Sequence, residues 1–208
     1  MLVKFDHITF VVNRAQLDTA VAEFERQGYK LALHSDHVDN LESKNEFLSF
    51  KDKDHALYFM QAPEGRGLSV ELIAYEHTTC NAPALGYSLG ENRLVMNAPD
   101  TDELSRMLLA MGCRPGDGGE VIFSGVLDTE EYAIVPQVSS QAAFNLDNEG
   151  FCCPTFFVRP ASKTANALKE DGFRVTDPEF LKVEDKTMYV MFALGSRGEL
   201  IEIVSNKI

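Results

Sequence analysis

Phe5-Asp6-His7-Ile8-Thr9-Phe10-Val11-Val12, followed by Asn13, a run over about 15–27 and then Gly28-Tyr29-Lys30, sets the pattern of the chain. The β-branched and aromatic residues of the first stretch predict a buried strand, and Asn13 is of the type that caps a helix start. In the following run Leu17, Val21 and Phe24 fall at i, i+4 and i+7, one apolar stripe of a 3.6-residue period. Asp18, Glu23, Glu25 and Arg26 are left for the wet face, and Gly28 stands where a helix ends in the left-handed conformation.

The same unit recurs twice. Arg93-Leu94-Val95-Met96-Asn97 turns at Ala98-Pro99-Asp100 into a helix carrying Leu104, Met107, Leu108 and Met111, stopped by Gly112. Cys153-Pro154-Thr155-Phe156-Phe157-Val158 turns at Arg159-Pro160 into a helix over 161–171, stopped by Gly172. After the first stop, strands are expected at 47–50, 56–60 and 68–75; after the third, at 180–183, 188–193 and 200–204. Both outer copies read as βαβββ, whereas the middle copy, with strands at 121–127 and 132–135, is abbreviated. The expected class is α+β, built of repeated βαβββ modules at 1–77 and 150–208 around a shorter one at 91–138. Linkers fall at 78–90, with Pro83 and Gly86, and at 139–150, with Asn145.

Composition narrows the function. The 208 residues hold 19 Lys and Arg against 32 Asp and Glu, a net charge of −13 that disfavours nucleic acid as a partner. With 45% apolar residues the chain can bury a core, and no run approaches the roughly 18–20 apolar residues of a membrane span. The opening segment predicts neither signal peptide nor anchor, and the four cysteines lack CxxC spacing, so a reducing cytoplasm is expected.

Asp6-His7-Ile8 opening the first strand, the helix ending in Gly28-Tyr29, and Gly67-Leu68-Ser69-Val70-Glu71-Leu72 closing the module resemble the glyoxalase/bleomycin-resistance/dioxygenase group, the vicinal oxygen chelate (VOC) superfamily. The resemblance implies a curved, half-open barrel of paired modules around a divalent metal, with ligands on the first and last strands of each module. It implies His7 and Glu71 as metal ligands in the first module and Glu202, within Glu199-Leu200-Ile201-Glu202-Ile203-Val204, in the third. The fourth place falls on Cys153 or Pro154, neither of them the residue usual there. The middle copy offers Arg93 and Ala133 and completes no such site.

Alternation supports part of this from the residues alone. In Ser69-Val70-Glu71-Leu72-Ile73, Glu71 shares a face with Ser69 and Ile73. If helices cover Val70 and Leu72, the carboxylate points into the concavity, where it needs a cation. One imidazole and two carboxylates suit Mn, Fe, Ni, Zn or Mg with positions left open for a substrate's oxygens. The leading expectation is a metal-dependent lyase, isomerase or dioxygenase on a small oxygenated molecule, with Glu71 and Glu202 catalytic, in a homodimer. A metal-free small-molecule binder of the bleomycin-resistance kind and a regulatory module are the alternatives. His34-Ser35-Asp36-His37 reads as loop, His55 and His77 as solvated, Lys51-Asp52-Lys53-Asp54 as a hairpin turn, Cys152-Cys153 as small buried hydrophobes, and Gly116-Asp117-Gly118-Gly119 as a turn.

Overall fold

The computed structural model describes residues 2–63, 68–80, 87–90, 92–125, 131–138 and 146–208, with 87–90 described in backbone only. Strand β1 (Leu2–Asn13) passes through a 3-10 turn, Arg14–Gln16, in which the Ala15 N–H donates to the Asn13 side chain, into helix α1 (Leu17–Arg26). Strands β2 (Lys30–Asp39), β3 (Asp54–Gln61) and β4 (Ser69–Tyr75) follow. The middle segment contains β5 (Tyr87–Gly90), β6 (Arg93–Ala98), α2 (Thr101–Ala110), β7 (Arg114–Pro115), β8 (Val121–Gly125) and β9 (Glu131–Val138). The last contains β10 (Gly150–Arg159), α3 (Ala161–Glu170), β11 (Arg174–Val175), β12 (Glu179–Val183), β13 (Lys186–Leu194) and β14 (Leu200–Ser205). Gly28, Gly112 and Gly172 each sit two residues past a helix with φ of 89°, 100° and 87°, the left-handed region that favours glycine.

The two outer segments have the same topology. β1 runs parallel to β4, which pairs antiparallel with β3, and β3 with β2; β10 runs parallel to β14, which pairs antiparallel with β13, and β13 with β12. Antiparallel pairing of β1 with β10 joins the halves into one mixed sheet, β2-β3-β4-β1-β10-β14-β13-β12. Its two ends meet where Val38 and Leu57 bury against Val183, so the sheet is nearly closed into a barrel. In the middle segment β6 pairs with β9, β9 with β8 and β8 with β7, and β8 joins the sheet beside the first residues of β1.

Strand alternation separates two cores. Val70, Leu72 and Ala74 bury outward with Leu17 of α1, Leu104 and Leu108 of α2 and Leu168 of α3. Ile73, Tyr75, Val11, Phe192 and Val204 bury inward. Each fully buried Leu, Ile or Phe contributes roughly 1.5–3 kcal/mol, which fixes the strand register and with it the direction of the polar residues between them.

The first segment differs from the sequence reading in one place. No strand forms at 47–50; the chain there is a 3-10 helix, Glu42–Phe47, and irregular backbone, and the second strand of the segment is β2. His34-Ser35-Asp36-His37 thus lies on a strand, not a loop. β2 is a polar edge strand whose register against β3 breaks twice, and such edges lack the apolar alternation that marks a strand. Asp54 begins β3, so the 51–54 charge run belongs to a long excursion, 40–53, and not to a hairpin turn. Gly67, Pro83, Gly86, Leu127 and Asn145 lie outside the described residues. Among the described residues no helix is long and apolar enough to cross a membrane.

Candidate metal centre beneath a strap

His7 from β1, Glu71 from β4 and Glu202 from β14 converge inside the barrel, with exposures of 5%, 8% and 5%. One ligand atom from each lies within 4.8 Å of the other two. Two donors bonded to one ion at about 2.0–2.2 Å can be at most about 4.4 Å apart, so small side-chain movements close the set.

Strand register accounts for the convergence. Thr9 is the neighbour of Glu71 across β1/β4, and Thr155 is the neighbour of Glu202 across β10/β14. The Thr9 hydroxyl donates to Glu71 at 3.2 Å and that of Thr155 to Glu202 at 2.9 Å. His7 stands two residues before Thr9; the equivalent residue before Thr155 is Cys153, which resolves the two alternatives left by the sequence. Burial pushes the Cys153 thiol well above its usual value, so it stays protonated.

The ring of His7 is held on both sides. Its Nδ1 lies 2.8 Å from the Asp6 carboxylate, and the Phe59 ring meets it edge-on at 5.3 Å. Nε2 is buried without a hydrogen-bond partner, 3.6 Å from Glu71. Burial opposes charge on this imidazole, but Asp6 and Glu71 outweigh it and raise its pKa to about 10. Burial likewise raises Glu71, yet His7, the charge of Lys44 and the Thr9 hydroxyl bring it below the usual carboxylate range. Burial raises Glu202, and the charge of Glu71 beside it acts in the same direction. The donor set fits a divalent ion: a carboxylate fixes one ring nitrogen and leaves the other, orphaned, aimed at two carboxylates.

The interior is covered. Residues 40–53 cross it as a strap, and in its 3-10 helix, with three residues per turn, Leu41, Lys44 and Phe47 share the inward side. Lys44 is 2% exposed, its ammonium 5.9 Å over the Phe192 ring. The strap is latched to the other half: Glu179 accepts from the N–H groups of Glu42 and Ser43 at 2.7 Å each, and Arg174 contacts Glu46 and stacks on Phe47. A crevice of ≈430 Å³ follows this seam. The strap thus lies over the concavity of the curved sheet, which is nearly closed into a barrel.

Asp6, Thr9, Thr155 and Lys44 took no part in the sequence reading of the site. His55, read as solvated, is fully buried beneath the strap with Nδ1 2.7 Å from the Asn40 side-chain oxygen; burial, Lys44 and Arg14 hold it neutral, its pKa well below the usual value. His34 and His37 are exposed, and His77 is an exposed partner of Asp52. All four cysteines are free.

No family model matches the chain. No curated protein matches it either. Among solved structures it is similar to methylmalonyl-CoA epimerase from Mycobacterium tuberculosis, at 14% identity and a TM-score of 0.47 over 97% of this chain and 87% of that one. It is also similar to glyoxalase I from Zea mays, at 12% identity and a TM-score of 0.39 over 98% of this chain and 68% of that one. A candidate dioxygenase from Bacillus subtilis matches at 11% identity and a TM-score of 0.41; this chain covers 62% of its length.

Proposed function

We propose that the protein is a VOC-type metalloenzyme, a lyase, isomerase or dioxygenase acting on a small molecule with vicinal oxygens, and that His7, Glu71 and Glu202 hold its divalent ion. The observation that carries the reading is the orphaned Nε2 of His7, backed by Asp6 and aimed at two carboxylates from different halves of the barrel. A bound divalent ion supplies Lewis acidity to the substrate's oxygens. The chain's own part is to bind and exclude water. Asp6 fixes the imidazole, Thr9 and Thr155 orient the carboxylates, and the strap covers the interior. Of the two carboxylates, burial and the charge of Glu71 raise Glu202, so Glu202 is the one suited to leave the ion and accept a proton as general base, while Glu71 stays below the usual carboxylate range.

The test is elemental analysis of protein purified without chelators, then dialysed against Mn, Fe, Ni or Zn. One ion per chain, lost in Glu71→Gln, supports the reading; no ion under any of these conditions refutes it. The second reading, a metal-free binder, is favoured by Lys44, which brings a positive charge of its own under the strap. A homodimer in the cytoplasm accompanies either reading, and light scattering checks the assembly.

A further inference from the structure

Lys44 is the least explained group in the interior. It is 2% exposed, yet among the described residues its ammonium forms no ion pair and no side-chain hydrogen bond. Burying an ammonium without a partner is costly, and a short polar 3-10 turn has easier ways to fill its inward position. The flanking inward residues, Leu41 and Phe47, are apolar, so the lysine is singular on that side.

Its position is defined by register. Phe192, beneath the ammonium, is the direct cross-strand neighbour of Glu202, so the charge lies on the Glu202 side of the centre. Asp6 is on the other side of His7 and is committed to its Nδ1. A divalent ion held by Glu71 and Glu202 would match both carboxylate charges and leave the ammonium unmatched. Two buried hydroxyls, of Ser43 on the strap and Tyr75 on β4, have no partners among the described residues either.

We infer that Lys44 selects the charge of the ligand: the site takes a small anion whose vicinal oxygens reach the metal while its negative charge meets the ammonium. The inference rests on the metal reading proposed above and names the substrate class within it. It also states what Lys44 does to the ion. Before the anion arrives, a fixed positive charge nearby repels an incoming dication.

These two effects have opposite signs, which makes them separable from damage to the fold. Calorimetric titration of the wild type with Mn²⁺, and then of the Mn²⁺-loaded protein with oxalate, is compared with the same titrations of Lys44→Met. The variant is expected to bind Mn²⁺ about tenfold tighter and oxalate about tenfold weaker, in keeping with a unit charge at short range in a site of low effective dielectric. Loss of affinity for both ligands would show a packing role and overturn the inference. So would unchanged oxalate affinity, or failure of the Mn²⁺-loaded wild type to bind oxalate. A wild type that binds no Mn²⁺ would refute the metal reading itself, and the inference with it.

Discussion

His7 and Cys153 occupy equivalent places in the two halves of the barrel, each two residues before a threonine registered against a glutamate. The candidate centre is therefore a near two-fold arrangement, with an imidazole in one half and, in the equivalent place of the other, a thiol that burial keeps protonated. Cys153→His would restore the symmetry. It is expected to tighten Ni²⁺ or Zn²⁺ at least tenfold, measured by competition with a chelator, while overpacking costs about 1–3 kcal/mol of stability.

Thr155 is fully buried and its hydroxyl serves Glu202. Thr155→Val keeps the shape and removes the donor, so the carboxylate loses a hydrogen bond it cannot replace. Denaturant unfolding is expected to show a loss of about 1–3 kcal/mol.

The pH dependence of the metal-free protein follows from His7. Its pKa rises from 6.5 to about 10 on folding, so the folded state binds the proton more tightly. The resulting stabilisation is complete below pH 6.5 and is lost as the pH climbs toward 10. Thermal unfolding in EDTA is expected to show this decline, and His7→Gln to flatten it.

The strap depends on Glu179, whose carboxylate receives two N–H groups of the 3-10 helix. Glu179→Ala is expected to speed tryptic cleavage within 42–53 several-fold. Protection of the α3 region should be unchanged, because the latch holds only the strap.

The repeat and its glycine stops were legible in the sequence because each follows from local physics: a helical stripe of 3.6 residues and a residue tolerant of positive φ. His7, Glu71 and Glu202 were legible as polar residues at regular places in apolar strands. The strap was not. β2 carries Lys30, His34, Asp36 and His37 and pairs with a single neighbour, so it lacks the pattern of a half-buried strand. With β2 unread, Phe47 and Phe50 drew the strand assignment to themselves. The one available signal was Leu41, Lys44 and Phe47 at intervals of three, the period of a 3-10 helix. Burial of His55 was equally hidden, since it depends on the strap lying across it.

β1 gives one edge to β10 and divides the other between β4 and β8. During synthesis this strand leaves the ribosome early, yet the partner on one of its edges follows only after some hundred and fifty residues. Until then that edge is open to any strand that meets it. Long-range pairing of this kind is slow and exposes unpaired backbone to aggregation. The residues of the candidate metal centre are thus brought together last, and a nascent chain halted before β14 would carry His7 and Glu71 without Glu202.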